Sequence, residues 1–339
     1  MNLLFYLLVF LLVLIVSSTT NKLLPFLPMP LIQILLGIGI GLCLPNNQYH
    51  LDTELFLALV IGPLLFREAQ EADITSILKH WRIVLYLIFP VIFISALSMG
   101  GLAHVLWASL PLAACVAVGA ALGPTDLVAF ASLSQRFSFP KRVSNILKGE
   151  GLLNDASGLV AFRMALIAWT TGTFSLTQAG TSLAISIVGG FAVGLITALI
   201  NRFLHTFLLS VRATDIASEL LLELSLPLLT FFIAEEIHVS GIIAVVVAGI
   251  LKASRFKKIN LLEAQVDTVT ETVWQTVTFM LNGSVFVILG MELEMIAEPI
   301  LKSAFYNKVL LLLSVFLLTF LLFAIRFVMI YGFYAFRIK

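Results

Sequence analysis

The stretch "EGLLNDASGL", residues 150–159, places two carboxylates and an amide in an otherwise apolar part of the chain. A second stretch, "LGPTDLVAF" at residues 122–130, adds Asp126 shortly after a Gly-Pro pair. An ionised acid inside an apolar segment is costly, and by default it marks a pathway for ions or protons. The sequence around these acids is therefore the best indicator of both the fold class and the function.

The composition places these acids in a membrane. The 339 residues are 60% hydrophobic and 12% charged, whereas a soluble domain is nearer half apolar and a quarter charged. The apolar residues come in blocks of about 20, the length with which one helix crosses a hydrocarbon core of ~30 Å. Alternation at period two, the mark of a membrane β-barrel, is absent. The sequence predicts an all-α polytopic membrane protein.

About 11 transmembrane helices are predicted from the apolar segments, and the loops between them are short. The segments lie near 2–18, 23–43, 53–66, 81–101, 109–133, 146–171, 180–209, 216–236, 238–254, 267–293 and 306–336. Because no Gly/Ser linker separates them, residues 1–339 are predicted to form a single transmembrane domain.

The positive charges predict an orientation, because cytoplasmic loops collect Lys and Arg. Sixteen of the 20 basic residues fall on one side of the predicted spans or at their ends on that side. The opposite side holds Lys302 and Lys308, and Arg163 and Arg326 lie within spans. We expect a multi-pass protein of the plasma or inner membrane, with its amino terminus outside and its carboxyl terminus in the cytoplasm.

Other protein classes find little support. A net charge of +1 does not favour a nucleic-acid partner. Two cysteines, Cys43 and Cys115, build neither a disulfide framework nor a metal or haem motif. With no nucleophile–base set and no cofactor motif, an enzyme is not expected, and neither is a cofactor.

Gly123 and Pro124 predict a break in the fifth segment. Proline removes a backbone donor and clashes with the preceding turn, and irregular backbone is tolerated at membrane depth only where protein or water surrounds it. Thr125 and Asp126 follow, with side chains suited to cap a restarted helix. Two interpretations stay open here: a kink with Asp126 as a structural cap, or a broken helix at the ion site of a transporter.

The sixth segment favours the transporter. Glu150 and Asn154 share a helix face, and Asp155 lies about 100° further round. Burial disfavours a charged carboxylate, and a bound cation favours it. A buried Asp155 therefore holds either a proton or a cation, and each expels the other. Asn154 and the Thr125 carbonyl are candidates for the remaining ligands.

Four ordered motifs carry a resemblance to a known family. These are "GPTDLVAF", "EGLLNDASGLVAF", "AEEIHVSGIIAVVVAGI" (234–250) and "VWQTVTFMLNGSVFVILGMEL" (273–293). Together they resemble the cation:proton antiporter-1 family, the NhaP/NHE-type sodium/proton exchangers. The resemblance implies secondary active exchange of a monovalent cation (Na⁺, Li⁺ or K⁺) for H⁺ by alternating access, in a homodimer within the lipid bilayer.

The resemblance also implies roles for individual residues. Asp155 matches the family's central cation- and proton-binding carboxylate. Asn154 precedes it, and Thr125 and Asp126 flank the Na⁺ site. Glu150 matches a glutamate that forms a structural ion pair with a late arginine, here Arg326. The neutral Asn154, where electrogenic relatives carry a second aspartate, implies electroneutral exchange.

The family fold consists of two inverted six-helix repeats joined by a linker helix. Residues 1–171 match the first repeat, 180–209 the linker and 216–336 an incomplete second repeat, so we expect a chain that lacks the last two helices. Leu127 stands where the family has a second proline, and Gly151 where it often has a small hydroxyl residue. A truncated remnant that does not transport and a passive cation channel are the alternative functions.

Charged residues outside these motifs receive simpler interpretations. Glu219 and Glu223 begin a helix whose amino terminus attracts negative charge, with an ion funnel as the alternative. Lys252 belongs to the basic residues that set the orientation, with contact to anionic lipid as the alternative. Solvated surface is the first interpretation for the five histidines and tuning by pH is the second, namely for His50, His80, His104, His205 and His238.

Overall fold

The computed structural model describes residues 2–43, 52–125, 130, 138–172, 176–211, 215–253, 261–302 and 308–337. Within these ranges every regular element is a helix. The α-helices are α1 (Asn2–Leu23), α2 (Met29–Cys43), α3 (Thr53–Phe56), α4 (Gly62–Glu71), α5 (Ile74–Lys79), α6 (Trp81–Tyr86), α7 (Ile92–Leu106), α8 (Leu112–Leu122), α9 (Lys141–Thr171), α10 (Leu176–Ser210), α11 (Ile216–Glu236), α12 (Gly241–Ala253), α13 (Leu261–Lys302) and α14 (Lys308–Arg337).

Helix length and composition agree with a membrane protein. Among the described residues, five helices are long and apolar enough to cross a bilayer: Trp81–Leu106, Ala184–Ser210, Ile216–Glu236, Thr268–Ala297 and Val309–Phe333. Shorter apolar helices, such as Met29–Cys43 and Gly241–Ala253, accompany them. The all-α polytopic class is confirmed, and the number of eleven spans stays a prediction.

Two short π-helical turns interrupt the helices next to prolines. Leu57–Ile61 joins α3 to α4 directly before Gly62 and Pro63, and Leu87–Val91, which contains Pro90, joins α6 to α7. A proline in a helix removes one N–H donor and crowds the preceding turn. A wider π turn absorbs this defect without ending the helix.

Two helices begin at a capping aspartate, and one ends at a glycine. The Asp52 carboxylate accepts hydrogen bonds from the backbone N–H groups of Glu54 and Leu55 at the start of α3, and Asp215 caps α11 by accepting from Ser218. Gly172 ends α9 with a φ of +68°, the left-handed conformation that glycine adopts without steric cost.

The described residues form two compact units, each built from segments distant in sequence. The first comprises the described residues of 1–71, 128–138 and 188–303, and the second those of 72–127, 139–187 and 304–339. In the first unit α2 packs along α13, and α4 packs against α12. In the second unit α8 packs against both α7 and α9, and α14 lies against α7. The residues singled out by the sequence belong to the second unit.

Candidate functional site

The break predicted in the fifth segment begins at the end of α8. This helix ends at Leu122, and Gly123, Pro124 and Thr125 continue the chain without helical structure. Residues 126–129 lie outside the described residues, so the proposed restart at Asp126 has no structural account here. The break leaves backbone carbonyls of α8 without helical partners, and these must be satisfied by other groups.

Helix α9 approaches the break closely at Gly158. A Cβ atom added to Gly158 would lie 2.3 Å from Pro124 Cγ, so no larger residue fits without movement. One helical turn before Gly158, Asn154 is 0% exposed, and Glu150 is 1% exposed. The buried face of α9 therefore presents its polar groups to the chain at Thr125.

Thr125 links the two buried polar groups of α9. Asn154 Nδ2 donates to Thr125 Oγ1 at 2.6 Å and to the Thr125 carbonyl at 3.1 Å. The Thr125 hydroxyl in turn donates to Glu150 Oε1 at 3.2 Å. These contacts fix which way the Asn154 amide points, because both bonds use its nitrogen.

Arg326 of α14 completes the arrangement. Its Nη1 lies 3.1 Å from Glu150 Oε1, and its Nη2 donates to the Gly123 carbonyl at 2.5 Å. One guanidinium thus neutralises the buried carboxylate and also satisfies a carbonyl at the broken end of α8. A charged pair buried this deeply keeps its charges only because each partner is satisfied.

The amide oxygen of Asn154 is the atom that this network does not use. Asn154 Oδ1 is buried and has no hydrogen-bond partner among the described residues. Asp155 follows Asn154 on α9, but its side chain lies outside the described residues, as does Asp126. The described part of the site therefore consists of a neutralised ion pair and a buried neutral oxygen on the residue that precedes Asp155 in the sequence. Among the residues that the structure describes, no three His, Cys, Asp or Glu side chains lie close enough together to hold a metal ion.

A second polar cluster, in the first unit, was missed by the sequence reasoning. Glu223 Oε2 lies 2.9 Å from Lys252 Nζ, and Gln70 Nε2 donates to Glu223 Oε1 at 2.7 Å. Nearby, Arg67 pairs with Glu71 at 2.7 Å and also with Glu271. The sequence showed that these groups share one side of the predicted membrane, but it gave no signal of which helices are neighbours.

The interpretation of His205 as solvated surface is wrong. Its side chain is 18% exposed, and Nε2 lies 3.2 Å from Oε1 of Glu219, whose side chain is 10% exposed. The approach of α11 to α10 buries both groups.

Comparison with known proteins agrees with the resemblance seen in the sequence. Residues 7–338 match the protein family described as "Sodium/hydrogen exchanger, transmembrane". The chain belongs to the sodium/hydrogen exchanger family. The family membership confirms the resemblance drawn from the four motifs, and the protein is integral to a membrane.

Two named relatives of this chain are bacterial. The sodium, potassium, lithium and rubidium/H⁺ antiporter of Bacillus subtilis is 35% identical over 335 residues, 98% of this chain and 50% of the relative. Its counterpart in Bacillus pumilus is 34% identical over 319 residues, 94% of this chain and 48% of the relative. The chain spans about half the length of these curated relatives.

A solved structure shows the same fold. The sodium proton antiporter MjNhaP1 of Methanocaldococcus jannaschii superposes with a TM-score of 0.63 at 19% sequence identity. The match covers 86% of this chain and 71% of that one. This chain therefore shares the helical fold of that structure.

Proposed function

We propose that this chain is a secondary active monovalent cation/proton antiporter, in which a cation such as Na⁺ and a proton compete for Asp155. The observation that carries the proposal is the buried oxygen of Asn154, which has no partner among the described residues and is held by the Thr125 hydrogen bonds one position before Asp155 in the sequence. Neutral oxygens and carboxylates are the ligands that a hard cation takes. Family membership supports this assignment of the site.

The charge balance of the site supports electroneutral exchange. Glu150 is neutralised by Arg326, and Asn154 carries no charge. Asp155 then remains as the group that alternates between a proton and a cation, with Asp126 as a second ligand to Na⁺. One proton exchanged for one cation moves no net charge. The named relatives suggest that Na⁺, K⁺, Li⁺ and Rb⁺ are the cations to test.

The setting of the transporter follows from the same reasoning. The distribution of basic residues supports an amino terminus outside and a carboxyl terminus in the cytoplasm of the plasma or inner membrane. Alternating access and a homodimeric assembly in the lipid bilayer are proposed on the family resemblance.

Everted membrane vesicles that carry the chain test the exchange. Addition of Na⁺ should release protons from acidified vesicles and relieve the quenching of a pH-sensitive dye. Asp155→Asn should abolish this response, because an amide cannot bind the proton that the cation must displace. The response of the intact chain should be unchanged when the membrane potential is clamped to zero, since exchange is electroneutral.

Asp52→Asn is the matched control. It makes the same chemical change at a helix cap, and asparagine caps a helix as well as aspartate does. Dequenching that survives in Asp155→Asn would remove Asp155 from its proposed role. Cation flux without counter-moving protons would instead identify a channel.

A further inference from the structure

Helix α13 carries three polar side chains at four-residue intervals, Trp274, Thr278 and Asn282, which we name the polar row. Residues four apart lie on the same face of an α-helix. The indole Nε1 of Trp274, the hydroxyl of Thr278 and the amide oxygen Oδ1 of Asn282 are all buried, and none of the three has a hydrogen-bond partner among the described residues. The three members of this face therefore share one unmet requirement.

The polar row is buried inside the first unit. It falls within Thr268–Ala297, one of the helices long and apolar enough to cross a bilayer. Trp274 is 0% exposed, and its ring centroid lies 5.9 Å from that of Phe66 on α4. Helix α13 packs against α4 and against the π turn Leu57–Ile61, which belong to the same unit. A buried polar group at membrane depth has to be satisfied inside the protein.

The chemistry of the polar row selects its ligand. The Trp274 indole N–H only donates, the Asn282 amide oxygen only accepts, and the Thr278 hydroxyl does both. The indole N–H would repel a cation and the amide oxygen would repel an anion, so neither kind of ion suits the whole row. Water both donates and accepts, and a buried water makes about three hydrogen bonds to polar groups that have no other partner.

The spacing of the polar row also fits water. Cβ atoms four residues apart on a helix are about 5–6 Å apart, whereas one hydrogen bond spans about 3 Å between heavy atoms. Neighbouring members of the row are therefore too far apart for a direct bond, and two hydrogen bonds through one bridging water cover the distance between them.

We propose that Trp274, Thr278 and Asn282 form a binding site for internal water in the first unit. One water accepts from the Trp274 indole and donates to the Thr278 hydroxyl oxygen. The Thr278 hydroxyl donates to a second water, which donates to Asn282 Oδ1. The hydrogen bonds then run in one direction along α13, and each of the three polar atoms gains a partner.

Contacts between water and the tryptophan indoles test the site in the full chain, purified in detergent and labelled with ¹⁵N-tryptophan. The chain has four tryptophans, so replacing each in turn with phenylalanine assigns the four indole N–H signals. In a rotating-frame NMR experiment, the Trp274 N–H should show a cross-peak to water with the sign of direct dipolar contact and not that of chemical exchange. The absence of this cross-peak, or contact with a protein acceptor in its place, would overturn the proposal.

Thr278→Val tests whether the threonine shares the water with Trp274. Valine retains the shape but not the hydroxyl, so the water loses one hydrogen bond and its binding constant should fall roughly fivefold, with a weaker Trp274 cross-peak. Thr278→Ser retains the hydroxyl and should retain the cross-peak.

Thr276→Val is the matched control, because the exposed Thr276 hydroxyl of the same helix donates to the Thr272 carbonyl at 3.1 Å. It should leave the Trp274 cross-peak unchanged, and equal cross-peaks in the two valine variants would overturn the shared water. The measurement needs no ion movement, so a chain that fails to transport refutes the proposed function and leaves this test intact.

Discussion

At the scale of single residues, Thr125 determines how the site is arranged. Its hydroxyl accepts a hydrogen bond from the Asn154 amide and donates one to the Glu150 carboxylate. The direction of these bonds leaves Asn154 Oδ1 without a partner among the described residues. The availability of this neutral oxygen, one position before Asp155 in the sequence, therefore depends on a hydroxyl of the broken segment.

Thr125→Val should weaken cation binding and leave the fold in place. Valine has the shape of threonine but neither donates nor accepts, so the Asn154 amide loses one of its two anchors. A net loss of about 1–1.5 kcal/mol corresponds to roughly a tenfold higher half-saturating Na⁺ concentration in the vesicle assay. Thr125→Ser retains the hydroxyl and should stay close to the unaltered chain. Equal half-saturation in the valine and serine variants would contradict this role of the hydroxyl.

Single charges in this protein are stabilised by partners on other helices. Arg326 pairs with Glu150 and also donates to the Gly123 carbonyl. Lys252 pairs with Glu223 and donates to the Asn201 amide oxygen. Removal of one partner from such a buried pair leaves an uncompensated charge, which costs more than the pair itself contributes.

At the scale of secondary structure elements, the end of α8 is held from two sides. Gly158 of α9 allows the Pro124 ring to approach, and Arg326 of α14 binds the Gly123 carbonyl. Three helices of the second unit therefore meet where the fifth segment is interrupted. A broken helix stays ordered in a membrane when neighbouring helices satisfy its backbone in this way.

Gly158→Ala should disturb the break. The added methyl group would lie 2.3 Å from Pro124 Cγ, and neither the proline ring nor the helix backbone can move aside cheaply. Overpacking of this kind costs about 1–3 kcal/mol. We expect a lower thermal unfolding temperature for the purified protein in detergent.

Gly101→Ala is the control for this substitution, because a Cβ at Gly101 meets nothing within 4 Å. It should unfold at the temperature of the unaltered chain or slightly above, since alanine favours a helix over glycine. The same unfolding temperature for the two variants would show that the contact at Pro124 tolerates the extra methyl group.

At the scale of the whole molecule, sequence-distant segments build each of the two units. The first unit combines α1 to α4 with residues 188–210 of α10 and with α11 to α13, and the second combines α5 to α9 with residues 176–187 of α10 and with α14. In the second unit, the Glu150–Arg326 ion pair joins residues 176 positions apart. Basic residues that predict the orientation, such as Lys22 and Lys252, lie in the last turn of their helices.

The proposed orientation predicts which loops are accessible from outside intact cells. With Cys43 and Cys115 replaced by serine, Lys302→Cys should react with a membrane-impermeant maleimide from outside. Lys22→Cys should react only after the membrane is opened. The two variants make the same substitution on opposite sides of the predicted spans. The reverse labelling pattern would invert the predicted topology.

The sequence by itself determined the all-α membrane class, the interruption at Gly123–Pro124 and the family. Hydropathy, proline chemistry and short motifs are local properties, so the order of residues along the chain is enough to read them. The partner of Arg326 was expected at Glu150 through the family resemblance, but its bond to the Gly123 carbonyl was not. The tertiary structure alone decided that bond, together with the pairing of Glu223 with Lys252 and the burial of His205 against Glu219. Each of these contacts joins different helices, and helix periodicity gives the polar face of a segment without specifying which other helix will cover it.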